Sequence, residues 1–196
     1  VGEPNQFKFT EGPVWSAKQN CWYFSCIPGN TIYTYGSAEK GVSVYRQPSN
    51  HANGLFIDPL THALIACEHK SRTVTTTDLA TGVRKTIKGG SPPLPIHPRV
   101  EGLCTLAQHN TTMQRMHTII GYLGFLRPKR THAGTTEFGG LPLTSPNDCI
   151  ISRKDGALWF TDPDYGSLLK GIGHGEPNQQ PCNHVFRVDR SAVPLF

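Results

Sequence analysis

Residues 11–26 read EGPVWSAKQNCWYFSC, residues 53–68 read NGLFIDPLTHALIACE, and residues 147–162 read NDCIISRKDGALWFTD. The three align without a gap. Each opens on a polar residue (Glu11, Asn53, Asn147) and carries an apolar pair at its fourth and fifth positions: Val14/Trp15, Phe56/Ile57 and Ile150/Ile151. A turn follows in each, Lys18-Gln19-Asn20, Pro59-Leu60-Thr61 and Lys154-Asp155-Gly156. An apolar run comes next, over 22–24, 64–66 and 158–160, and position sixteen is Cys26, Glu68 or Asp162. Each register therefore predicts two short strands around a tight turn.

Working outward, third strands are predicted at 31–35, 73–77 and 184–188, and fourth strands at 42–46 and 84–88. Four short antiparallel strands recurring after 42 residues, from Glu11 to Asn53, match one blade of a β-propeller. Similar hairpins in a sandwich are the competing reading. Polar residues at the starts of three aligned strands favour the propeller, because those starts crowd one central channel. They also place Glu11, Asn53 and Asn147 near one another.

The third register breaks the period, since Asn53 to Asn147 spans 94 residues instead of 42. The excess falls on 89–137, which holds both methionines, four of the nine histidines and no aspartate. The expected organisation is two blades over 1–88, an atypical insertion or mis-spliced segment over 89–137, and a third blade over 138–196. The chain opens on Val1 with no charged-then-apolar leader and ends at Phe196 after about three blades, so it reads as processed or incomplete.

Composition narrows the function classes. The chain has 196 residues, of which 20 are Gly and 16 Pro, and 37% are hydrophobic, a punctuation that speaks against a helical bundle. No apolar run approaches the ~20 residues of a spanning helix, so no membrane partner is expected. The net charge of +5 gathers in 89–137, where five bases face two acids, and no groove-binding motif accompanies it. A nucleic-acid partner is therefore not expected. The six cysteines form no C-x-x-C pair and read as buried free thiols. No G-x-S-x-G nucleophile motif and no phosphate-binding loop is present.

A carboxylate and amide oxygens converging on a channel mouth suit a hard divalent cation, and Ca²⁺ takes six to eight such oxygens. Each residue alone has a plainer role: Glu11 can cap a turn before Gly12-Pro13, and Asn147 can form an Asx-turn after Pro146. His51 and His69, flanking the second register, read as solvated or inter-strand histidines. Glu68 and Asp162 read as facing solvent or a neighbouring blade.

The segments Phe9-Thr10-Glu11-Gly12-Pro13-Val14-Trp15, Ala52-Asn53-Gly54-Leu55, Ala66-Cys67-Glu68-His69, Ser145-Pro146-Asn147-Asp148 and Phe160-Thr161-Asp162-Pro163-Asp164-Tyr165-Gly166 resemble the gluconolactonase/senescence-marker-protein/luciferin-regenerating family. The resemblance implies an all-β, six-bladed propeller of which about half the ring is present. It implies a metal-dependent hydrolase acting on a small-molecule lactone or related ester, with Ca²⁺ as the cofactor and Zn²⁺ or Mg²⁺ as alternatives. By the same resemblance Glu11 and Asn147 are metal ligands, Asn53 and Tyr165 line the substrate pocket, and Asp148 supports the ligands by hydrogen bonding. The remaining ligands and the general base belong to later blades. Weak metal binding, self-association and no lactone turnover are therefore expected of residues 1–196 alone. A non-catalytic propeller binding module and a strictosidine-synthase-like propeller are the rival readings.

Overall fold

The computed structural model of the chain describes residues 7–87, 137–138, 141–168, 171–180 and 183–194. The first blade consists of β1 (Thr10–Ser16), β2 (Cys21–Cys26), β3 (Thr31–Tyr35) and β4 (Val42–Arg46), antiparallel and in that order. The second repeats it with β5 (Ala52–Ile57), β6 (Leu64–Glu68), β7 (Thr73–Thr77) and β8 (Arg84–Thr86). A two-stranded ladder of β9 (Glu137–Phe138) and β10 (Leu141–Pro142) precedes the third blade, which is β11 (Cys149–Ile151), β12 (Leu158–Asp162) and β13 (His184–Val188). One helical turn, α1 (Tyr165–Leu168), lies between β12 and β13. Among the described residues no helix is long and apolar enough to cross a membrane. The segment read as an insertion, 89–137, lies outside the described residues except for Glu137, whose backbone pairs with Pro142.

The registers fold alike because their turns are built alike. At the sixth position Ser16, Asp58 and Ser152 each accept a turn N–H with the side chain, from Gln19 (3.3 Å), Leu60 (3.0 Å) and Lys154 (3.3 Å). At the tenth position Asn20, His62 and Gly156 all adopt left-handed backbone, with φ of 52°, 59° and 69°. Such a residue reverses the chain tightly enough for the strands to pair at once. Gly156→Ala is expected to destabilise the chain by about 1–2 kcal/mol, because an L-residue resists that conformation. Its added Cβ would also stand 3.2 Å from Arg190 Cδ. An unchanged urea midpoint would contradict this account of the turn.

Face-to-face packing explains the burial pattern. On β6, Leu64 and Ala66 point to the first blade, joining Tyr23, Ile32 and Leu55, while Ile65 and Cys67 point to the third, joining Cys149, Leu158 and Phe160. Every residue of β6 is consequently buried, and β12 is likewise buried throughout. The first blade has a neighbour on one face only. Its other face leaves Trp15, Trp22 and Val44 at 40%, 44% and 57% exposure and holds a cavity of about 490 Å³ lined in part by Phe7, Glu11, Trp22, Phe24 and Tyr35. Cys26, Cys67 and Cys149 are buried and free, and Cys21 is half-buried and free, as the sequence leads one to expect; Cys104 and Cys182 lie outside the described residues.

Candidate functional site

Strands β1, β5 and β11 lie side by side in succession, with β5 touching both of the others. Close approach at their starts is possible because the second position of two registers is glycine. A Cβ on Gly12 would meet Leu55 N at 2.5 Å and Asn53 O at 2.6 Å, and one on Gly54 would overlap Asp148 Oδ1 and stand 2.6 Å from Asn147 O. A bulge follows in both, between Glu11 and Val14 and between Ala52 and Leu55. The inner strands are stitched directly: Gly54 N–H donates to Asn147 O at 2.7 Å, and the Ser25 hydroxyl lies 2.7 Å from Asn53 O and 3.0 Å from Glu11 O.

The first position of each register thus lies at one end of the blades. Asn53 Nδ2 donates to Asn147 Oδ1 at 2.6 Å, across 94 residues of sequence. Glu11 is half-buried, and no described residue gives its carboxylate a hydrogen bond or an ion pair. Among the described residues no three His, Cys, Asp or Glu side chains are grouped to hold an ion. What this end of the blades offers a cation is carboxylate and amide oxygen, a hard donor set that fits Ca²⁺ or Mg²⁺ better than a thiophilic metal.

The other predicted residues sit around this column. Asp148 Oδ1 accepts the Cys149 N–H at 2.9 Å and lies over Gly54, so the carboxylate braces the inner strand. Tyr165 is half-buried at the start of α1. Its neighbour Gly166 packs against Ser145 and His174, and the Gly166 N–H donates to Ser145 Oγ at 2.9 Å.

Three residues behave differently from their sequence reading. Glu68 and Asp162 are both buried, at 1% and 0% exposure, and neither faces solvent. Glu68 reaches the neighbouring blade through Arg46, while Asp162 accepts the Thr144 N–H at 2.9 Å and the Ser145 N–H at 2.7 Å, clamping the loop that carries Asn147. His69 is not solvated either: it is 1% exposed, and its Nε2 lies 3.3 Å from Asn53 Nδ2. His51 is buried too, its Nδ1 2.8 Å from Ile27 O. The sequence signal for His69 is its place one residue past the sixteenth position, where the second strand ends beside the start of the first.

Burial pulls the His69 ring down to about 4 and pushes the Asp162 carboxyl up to about 7, the latter against backbone N–H bonds that favour the anion. Both groups are therefore displaced toward their neutral forms. Below the unfolded-state value of about 6.5, the unfolded chain binds a proton at His69 that the native ring refuses. That contribution to stability is full above about pH 6.5 and is lost toward pH 4. Asp162 acts oppositely: the native carboxyl keeps a proton that the unfolded chain releases near pH 3.9, so its contribution is full in acid and is lost as pH rises to 7. Asp162→Asn is expected to widen the gain in urea midpoint between pH 5 and pH 7 relative to the wild type. An identical pH difference in the two proteins would contradict this assignment.

Comparison with known proteins places these features. Residues 9–192 match the SMP-30/Gluconolactonase/LRE-like region. The sequence is 27% identical over 188 residues to a gluconolactonase of Zymomonas mobilis subsp. mobilis, covering 94% of this chain and 41% of that protein. The fold superposes on a gluconolactonase from Xanthomonas campestris with a TM-score of 0.64 at 23% identity, covering 97% of this chain and 46% of that one. It superposes on a luciferin-regenerating enzyme with a TM-score of 0.53 at 11% identity, covering 97% and 48%. The chain therefore spans a little under half the length of these relatives.

Proposed function

Because the chain belongs to the SMP-30/gluconolactonase/LRE-like family, we propose that it forms part of a lactone-hydrolysing site in which Glu11 and Asn147, with Asn53 between their strands, supply oxygens to a divalent cation. Ca²⁺ is the ion the donor set favours, with Mg²⁺ or Zn²⁺ as alternatives. The observation that carries this reading is the 2.6 Å contact between Asn53 Nδ2 and Asn147 Oδ1, which brings two aligned residues from separate blades to one point. When bound, a cation of this kind polarises a carbonyl oxygen and stabilises the negative charge that develops on it.

The chain's own residues set the conditions for that chemistry. A single carboxylate, Glu11, against a doubly charged ion leaves the site net positive, which suits a neutral lactone whose carbonyl oxygen gains charge on attack. The asparagines add oxygen without adding charge. Neutral His69 contributes no competing cation beside them. The general base of the reaction is assigned to the portion of the relatives' length that this chain does not span.

The test has two parts. Calcium titration of the 196-residue chain is expected to show weak binding, reduced at least ten-fold, about 1.4 kcal/mol, by Glu11→Gln and by Asn147→Ala. Lactone hydrolysis is expected to be absent from residues 1–196 alone. In a chain completed to the length of its relatives it is expected to be calcium-dependent and lost on either substitution. Robust calcium-dependent turnover by the 196-residue chain, or indifference to both substitutions, would overturn the reading.

A further inference from the structure

The amide of Asn53 has two protons on Nδ2 and two neighbours that accept them. One is Asn147 Oδ1 at 2.6 Å and the other is His69 Nε2 at 3.3 Å. This pairing requires the His69 tautomer with its proton on Nδ1. Nδ1 is buried and has no partner among the described residues. A buried polar group left unpaired costs about 1–3 kcal/mol, so the ring's orientation is not explained by its own hydrogen-bond balance.

The opposite tautomer gives a different site. With the proton on Nε2, His69 donates to Asn53, whose amide must then present oxygen to the ring. Asn147 has to turn its own amide to match, and the Asn53 oxygen is consumed inside the pair. With the proton on Nδ1, Asn53 spends only its nitrogen. Its Oδ1 then has no protein partner among the described residues and is not sealed from solvent. Asn147 Oδ1 also keeps its second lone pair. The tautomer of one buried ring thus decides whether the paired asparagines present one oxygen or two.

We infer that His69 is a positioning residue for the cation site: by accepting from Asn53 Nδ2 it fixes the Asn53–Asn147 pair with both amide oxygens outward. This rests on the proposed cation role of Asn147 and adds to it a residue that touches neither ion nor substrate. Groups that orient ligands from behind in this way typically change metal affinity by about 10–100-fold when removed.

Two measurements on the 196-residue chain test it. Nitrogen NMR of histidine-labelled protein, without metal, is expected to show His69 protonated on Nδ1 and bare on Nε2; the reverse tautomer overturns the inference. Calcium chloride is then titrated while the side-chain amide signals of Asn53 and Asn147 are followed. His69→Leu is expected to weaken the calcium-dependent shifts at least ten-fold, and His69→Gln, which retains an acceptor oxygen, is expected to recover most of the loss. Thermal midpoints of the two variants identify any loss that is merely structural. Wild-type affinity in His69→Leu, or equal loss in both variants at equal stability, overturns the inference while leaving the cation reading standing. Absence of any calcium response in the wild type brings down both.

Discussion

Gly54→Ala is expected to abolish cooperative folding. Its new methyl group would fall on the Asp148 carboxylate and lie 2.6 Å from both Asn147 O and Asp148 Cα, and the last two are backbone that cannot step aside. Relief requires β5 and β11 to separate, which breaks the Gly54 N–H bond to Asn147 O. Overpacking costs about 1–3 kcal/mol even where side chains can adjust, and the broken bond adds about 1 kcal/mol. The sum is a large part of the 5–15 kcal/mol available to a typical domain. Gly12→Ala should be as severe, since its φ of 55° adds a left-handed residue to backbone contacts of 2.5 and 2.6 Å. Gly82→Ala is the control: φ is 73°, but nothing lies within 4 Å, so only the ~1–2 kcal/mol conformational cost applies. Circular dichroism and urea unfolding of the three variants separate the effects. A Gly54→Ala protein with the wild-type midpoint would disprove the close approach of the inner strands.

Glu68→Gln is expected to cost about 3–5 kcal/mol, the range for leaving a buried charge without its partner. The Glu68 carboxylate is 1% exposed and receives Arg46 Nη2 at 3.0 Å, Asn50 Nδ2 at 2.7 Å, and the Ser71 and Thr75 hydroxyls at 2.8 Å each. Arg84 approaches at 3.5 Å from a more exposed position and matters less. Arg46 comes from β4 of the first blade, so this carboxylate is an electrostatic rivet between blades one and two. The Arg46 side chain is only 15% exposed, and its Nε and Nη1 have no partner among the described residues. Burial already pulls the guanidinium down against the opposing pull of Glu68, so losing the carboxylate leaves it worse placed. The double variant Glu68→Gln/Arg46→Met is expected to recover at least about 2 kcal/mol of the single loss, because it removes both charges together. A cost under about 1 kcal/mol for Glu68→Gln would show that solvent reaches the pair.

The strands and turns were legible because the information for them lies within one register. Polar acceptors at the sixth position (Ser16, Asp58, Ser152) and left-handed residues at the tenth (Asn20, His62, Gly156) act over four residues of chain. Apolar residues on either side continue each turn into paired strands. The predicted boundaries at 31–35, 42–46, 73–77 and 184–188 are reproduced residue for residue. The proximity of Asn53 and Asn147 was legible for a related reason: equal positions in repeated units come to equal places around an axis.

Burial of Glu68, Asp162 and His69 was not legible, because each sits where the second strand of one unit is covered from outside that unit. Alternation along a strand shows that it has two faces; it does not show that both are covered. Glu68 meets Arg46 from the preceding blade, and His69 meets Asn53 only because the bulge in β5 brings the strand start back over the strand end. By itself the sequence determined the repeated unit, its turns, its free buried thiols and the polar column, all consequences of short-range hydrogen bonding and side-chain alternation. Tertiary structure alone decided which carboxylates are buried, which histidine stands behind the asparagines and why two glycines cannot be replaced, since those contacts join separate strands and blades, up to 94 residues apart, that meet only once the blades pack.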